Sequence, residues 1–102
     1  MLIVDASTIE HGPGFRGETR WYDDASKAVV ESRAIADNPN IRQVSVTVRD
    51  DRHDDHARPW AIRHFARRAA GDIEDTGWRG WPRGSNQAQA VSDRDLAAFI
   101  AA

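Results

Sequence analysis

The chain has 102 residues, a formal net charge of −2 and no cysteine. This length suits one modest core, and we predict a single small α/β domain over residues 1–102. The absence of cysteine excludes a disulfide, a thiolate metal site and a cysteine nucleophile. The net charge argues against a protein whose whole surface binds nucleic acid, although it is compatible with a local basic patch.

The apolar runs are only a few residues long, so we predict neither a transmembrane helix nor a signal peptide and expect a cytoplasmic protein. The basic residues are thirteen arginines and one lysine, Lys27. This bias is typical of a GC-rich genome, and it also fits a preference for planar, bidentate hydrogen-bond donors. We favour the first explanation, which carries no functional meaning.

The N-terminal half is predicted to form two strands followed by a helix. Residues 1–9 and 19–22 are rich in β-forming side chains and are bounded by turn residues. From Asp24 to Asp37, apolar residues recur at three- and four-residue steps, and Asp23 or Asp24 can cap the first turn. This pattern predicts a helix with one apolar face.

Residues 42–50 give the clearest strand pattern. Val44, Val46 and Val48 alternate with polar residues, which indicates one buried face and one face in water. The connection from the second to the third strand is long enough for a parallel β-α-β unit. We therefore predict a small two-layer sandwich of the α+β or α/β class, with a short mixed sheet of about three strands and helices packed on one face.

The C-terminal half is predicted to be mainly helical. Pro59 suits the first position of a helix, Gly71 suits its end, and apolar residues between them recur at helical spacing. Residues 72–86 are predicted to form an irregular loop. A last helix is predicted to start at Ser92, because Asp95 follows three residues later in a capping arrangement.

Two features of this half are candidate binding surfaces. On the predicted helix over 59–70, arginines and His64 form a basic face opposite the apolar one. In the loop at 78–84, two tryptophans lie among arginines, and both residue types dominate interaction hot spots. A solvated helix face and tryptophans folded over the core are the plainer explanations. The predicted binding residues are Arg63, Arg67, Arg68, Trp78, Arg79, Trp81 and Arg83.

Three other motifs have weaker support. Residues 50–56 contain His and Asp, which are zinc ligands, but without the ordered spacing of a four-ligand site. The glycine-rich loop at 12–17 lacks the Gly-Lys-Ser/Thr ending of a phosphate-binding loop and leads into a strand. Asp5, Ser7 and His11 lack any catalytic-triad motif. We therefore predict no metal, no cofactor and no catalytic residues.

These observations favour a non-catalytic interaction module. The hypothesis is a small bacterial or phage accessory protein that binds or inhibits a larger protein assembly through the Trp/Arg loop and the arginine-rich helix face. The alternative is a nucleic-acid-binding regulator using the same surface, with arginines on phosphates and tryptophans stacked on bases. A small enzyme is the third hypothesis. Free strand edges favour a homodimer, and no membrane partner is expected.

Overall fold

A computed structural model describes residues 2–12, 17–50, 61–81 and 87–96. Within these residues, seven strands form one sheet, and every pair of neighbouring strands is antiparallel. The strand order is β2-β1-β3-β4-β6-β7, and β5 also pairs with β4. The elements are β1 (Leu2–Glu10), β2 (Gly17–Tyr22), α1 (Ala25–Ala36), β3 (Ile41–Asp50), β4 (Ala61–Arg67), β5 (Ile73–Asp75), β6 (Arg79–Gly80) and β7 (Gln89–Ala90).

The prediction of a short mixed sheet with several packed helices is wrong. Strand β1 lies between β2 and β3 and pairs antiparallel with both, so that Val4 faces Tyr22 on one side and Val48 on the other. The two strands joined by α1 therefore run in the same direction without becoming neighbours. Because β1 separates them, the β-α-β connection adds no parallel pair to the sheet.

The prediction of a helix over residues 59–70 is also wrong, since its described part forms strand β4. Ala61 and Phe65 are fully buried and face Val48 and Val44 of β3. A spacing of four residues is ambiguous, because it returns to the same side both on a helix and on a strand. Residues 59 and 60 lie outside the described residues.

The predicted loop at 72–86 contains regular structure in its described part. Strand β5 pairs with the end of β4, and β6 pairs with its beginning. Gly71 and Gly77 mark the turns on either side of β5, with φ angles of 93° and 67° that glycine adopts without strain. Residues 82–86 lie outside the described residues.

The helix α1 confirms the prediction for its segment. Asp24 is the N-cap, and its carboxylate accepts a hydrogen bond of 2.7 Å from the backbone N–H of Ser26. The buried face consists of small side chains, which let the helix lie close to the sheet. Its buried residues are Ala25, Ala28, Ser32 and Ala36.

The start of the predicted C-terminal helix is confirmed as well. Residues 93–96 form a helical turn, and the Ser92 hydroxyl accepts a hydrogen bond of 3.1 Å from the backbone N–H of Asp95. Residues 97–102 lie outside the described residues. In the part of the chain that the structure describes, no helix has the length and apolar character needed to cross a membrane.

The core lies between α1 and one face of the sheet. Val44, Val46 and Val48 of β3 are all fully buried there, as the alternation predicts. The opposite face of β3 carries Gln43, Ser45 and Thr47, and no described helix covers it. We call this second side of the sheet the open face, meaning the side on which Ser45 lies.

Replacing Val46 by Ala should lower the free energy of unfolding by roughly 2 kcal/mol, because it removes buried methyl groups and leaves a cavity. Val30→Ala is the matched control, since the same atoms are removed from a residue that is 70% exposed on α1. Urea unfolding of both variants measures the difference. Equal effects at the two positions would contradict the position of the core.

Candidate functional site

Arg63 is held inside the protein by an ion pair with Asp75. Its Nε and one terminal nitrogen donate to the two carboxylate oxygens of Asp75 at 2.9 and 2.6 Å. The same carboxylate accepts a hydrogen bond of 2.8 Å from the backbone N–H of Gly77. These contacts fix the turn after β5, and through it the position of the chain leading to Trp78.

Aromatic rings surround the guanidinium group of Arg63. Its central carbon lies 5.3 Å from the centre of the Phe65 ring and 5.7 Å from that of Trp78, within the range of cation–π attraction. Trp78 is only 4% exposed and belongs to the core. The plainer explanation weighed for the tryptophan loop, a ring folded over the core, therefore holds for Trp78.

Three further arginines of the predicted site each contact a different part of the chain. Arg67 is exposed and donates to the backbone carbonyl of Asp37 at 2.8 Å, beside the C-terminal end of α1. Arg68 lies 3.6 Å from a carboxylate oxygen of Asp72. Arg79 is exposed on β6, with its guanidinium 3.5 Å from the carbonyl oxygen of Ala88. Trp81 is half-buried, and Arg83 lies outside the described residues.

The arginine-rich helix face is not formed, because Arg63, His64 and Arg67 belong to strand β4 and Arg68 follows its last residue. On β4, Arg63 and Arg67 lie on the side covered by α1, whereas His64 lies on the open face. Successive side chains of a strand point to opposite sides, so this segment presents no common basic stripe.

The open face carries a polar network that links β3 to β4. The amide nitrogen of Gln43 donates to the Ser45 hydroxyl at 2.9 Å and to Nδ1 of His64 at 3.1 Å. Because Nδ1 accepts from this amide, it is the unprotonated ring nitrogen, and the Ser45 hydroxyl also donates to it at 2.7 Å. Desolvation by burial lowers the pKa of His64 below its ordinary value of 6.5. The imidazole is therefore neutral at pH 7.

A second group of polar side chains links β1 to β3 on the same face. The Thr47 hydroxyl donates to the Asp5 carboxylate at 2.6 Å, and Arg49 lies 3.8 Å from its other oxygen. Asp5 is only 6% exposed, so these two partners compensate a nearly buried charge. Ser7 is the next residue of β1 on this face, and its hydroxyl oxygen lies 3.4 Å from the hydroxyl oxygen of Thr19 on β2.

These contacts define what the network can do chemically. The hydroxyl of Ser45 has the basic Nδ1 of His64 beside it, as in a catalytic pair. However, the carboxylate of Asp5 is hydrogen-bonded to Thr47 and not to the imidazole of His64. Likewise Ser7 contacts Thr19, so Asp5, Ser7 and His11 do not form a triad. The side chains instead hold one another in a fixed pattern of donors and acceptors on the surface of the sheet.

Two larger side chains lie at opposite ends of the open face. Trp21 on β2 lies directly opposite Asp5 of the neighbouring strand β1 and is 69% exposed. Arg79 on β6 faces Ile62 of β4. Sequence reasoning included Arg79 in its site but missed Trp21 and the network. The alternation of β3 was the available signal, because it already placed Gln43, Ser45 and Thr47 on a face of their own.

In the described ranges, no three His, Asp or Glu side chains are grouped closely enough to hold a metal ion. The candidate zinc segment falls almost entirely in 51–60, which the structure does not describe, and so do residues 13–16 of the glycine loop. No family model, no curated protein and no solved structure matches this chain.

Asp75→Asn should lower the free energy of unfolding at pH 7 by about 2 kcal/mol, because a partly buried, charge-assisted pair is lost. The hydrogen bonds from Arg63 lower the pKa of Asp75 below 3.8. Its stabilisation is therefore present at neutral pH and is lost as the pH falls from about 4 through that lower pKa. Urea unfolding of the wild type and the variant should thus converge in acid.

Asp72→Asn is the control for this measurement, because Asp72 pairs with Arg68 on the surface. Exposed pairs contribute little, so this variant should unfold much like the wild type at pH 7. A loss as large as that of Asp75→Asn would contradict the special role of the Arg63–Asp75 pair.

The His64 imidazole should titrate below pH 6.5 in the folded protein, because burial disfavours its charged form. NMR of the ring protons, assigned with a His64→Gln variant, measures the midpoint. The unfolded chain binds this proton first, so stability should fall as the pH decreases through 6.5 towards the lower folded value. A midpoint above 6.5 would contradict the neutral, hydrogen-bonded ring.

Proposed function

We propose that this chain is a non-catalytic interaction module that binds a larger protein through its open face and thereby regulates or inhibits it. The observation that carries the proposal is the fixed polar network of β1, β3 and β4, flanked by exposed Trp21 and Arg79. The network lies on the side of the sheet that α1 leaves uncovered. A small bacterial or phage accessory protein is the setting that we infer from its size and composition.

The rigidity of the open face supports recognition of a specific partner. Gln43, Ser45 and His64 hold one another within 2.7–3.1 Å, and Asp5 is held by Thr47. Side chains that are already ordered lose little conformational entropy when they are covered by a partner. A surface of this kind can therefore present its donors and acceptors at a low cost of ordering.

The charges of the open face favour a protein over nucleic acid. Arg49 lies beside the carboxylate of Asp5, and the neutral ring of His64 adds no charge at pH 7. Of the arginines predicted for phosphate contacts, Arg63 is neutralised by Asp75 on the other side of the sheet. Binding to nucleic acid needs several uncompensated cations along one surface. Trp21 and Arg79 are residue types that dominate protein interfaces.

Purification of the tagged chain from its own host should recover one protein in stoichiometric amount. Arg79→Ala should weaken that complex about tenfold or more if Arg79 is a hot spot of the interface. Arg33→Ala is the matched control, because Arg33 is exposed on α1, on the opposite side of the sheet. Equilibrium binding to the recovered partner compares the two variants.

Two outcomes would overturn the proposal. Equal weakening by Arg79→Ala and Arg33→Ala would place the interface elsewhere. Recovery of DNA or RNA that nuclease removes, with affinity falling steeply as salt rises, would establish the nucleic-acid-binding alternative instead.

A further inference from the structure

Strand β2 forms one edge of the sheet, and its outer side is free among the described residues. Of the strands that the structure describes, β2 pairs only with β1, and five of its six residues are exposed. The outer edge of such a strand carries backbone N–H and C=O groups that can pair with another strand. Proteins often protect these edges with proline or lysine, and β2 contains neither.

The side chains of β2 are ordered by face. Glu18 and Arg20 face Thr8 and Ala6 of β1, on the side of the sheet that α1 covers. However, a groove of about 850 Å³ separates them from the C-terminal half of α1, and both side chains are exposed. In one chain the two groups form a surface ion pair of 3.3 Å, and their charges also remain accessible to a partner.

We propose that β2 pairs with β2 of a second copy, antiparallel and centred on Thr19. A two-fold axis perpendicular to the sheet at Thr19 places Glu18 opposite Arg20 of the second copy, and Arg20 opposite its Glu18. Directly opposed residues on antiparallel strands share a face, so two complementary charge pairs form. The sequence of the edge is thus complementary to itself, as an isologous interface requires.

The neighbouring registers do not have this property. With the axis at Glu18, two glutamates would face each other, and with the axis at Arg20, two arginines would do so. Like charges in directly opposed positions are destabilising. Charge therefore favours the register centred on Thr19 over the two registers next to it.

The same register gives a role to the exposed ring of Trp21. On the open face, Trp21 would lie opposite Gly17 of the second copy. An aromatic ring across from a strand glycine covers backbone that the glycine leaves bare. The pairing would therefore bury part of a side chain that is 69% exposed in one chain. This inference shares Trp21 with the open face, but it rests on the edge strand and does not require the partner protein proposed above.

The test is a charge swap measured by sedimentation equilibrium of the purified chain. The wild type should be a dimer that dissociates on dilution. Glu18→Arg and Arg20→Glu should each raise the dissociation constant roughly tenfold, because each creates two pairs of like charges. Glu74→Arg, which makes the same charge change on β5, should leave the dissociation constant unchanged.

An equimolar mixture of the Glu18→Arg and Arg20→Glu chains should restore dimerisation. In the mixed pair, every arginine at these positions faces a glutamate, and native mass spectrometry identifies the heterodimer by its mass. Circular dichroism verifies that both variants are folded, and the wild-type measurement remains decisive if either is not.

Several results would overturn the inference. A wild-type chain that stays monomeric at all accessible concentrations would overturn the inference. This holds even if a different protein were found to bind the edge of β2. A dimer that is insensitive to both substitutions, or a mixture that does not recover, would exclude this register. Loss of the partner protein on Arg79→Ala bears only on the open face, so the two proposals can fail separately.

Discussion

The pairing of β3 with β1 and β4 is the constraint on which the rest of the structure depends. On one side of β3, three valines are fully buried beneath α1 and tie the helix to the centre of the sheet. On the other side, its polar residues reach β1 through Thr47 and β4 through Ser45. A shift of β3 by one residue would exchange its two faces and lose the core and the polar network together.

The segments that form α1 and β3 were predicted correctly because each shows one unambiguous period of apolar residues. Strand β4 could not be recognised in the same way. Its alternation is hidden by Arg63, a charged residue on the side covered by α1, and a helix places this residue comfortably in water. Asp75, twelve residues further on, makes the strand position favourable by neutralising the charge. A non-local ion pair of this kind leaves no periodic signal in the sequence.

The candidate site, like the fold, was predictable only where the sequence pattern is local. Trp78 and Arg63 were both predicted as binding residues, with a tryptophan folded over the core as the plainer explanation. In the structure they contact each other at the boundary of the core. The open face depends on strand register, which brings Ser45 to His64 and Asp5 to Thr47. Residue types alone cannot show such contacts, since nineteen and forty-two positions separate the partners. The polar half of β3 was visible from the sequence, but its partners were not.

The position of β1 between β2 and β3 also sets the order in which the chain can fold. β1 can pair with β2 as a local hairpin, but Leu2 meets Asp50 only after the helix and the whole of β3 have been synthesised. Pairing over such a separation requires closure of a long loop and slows folding. During synthesis, the edge of β1 that pairs with β3 therefore stays unpaired on the nascent chain. This interval is when chaperones have access to the strand and when aggregation competes most strongly with folding.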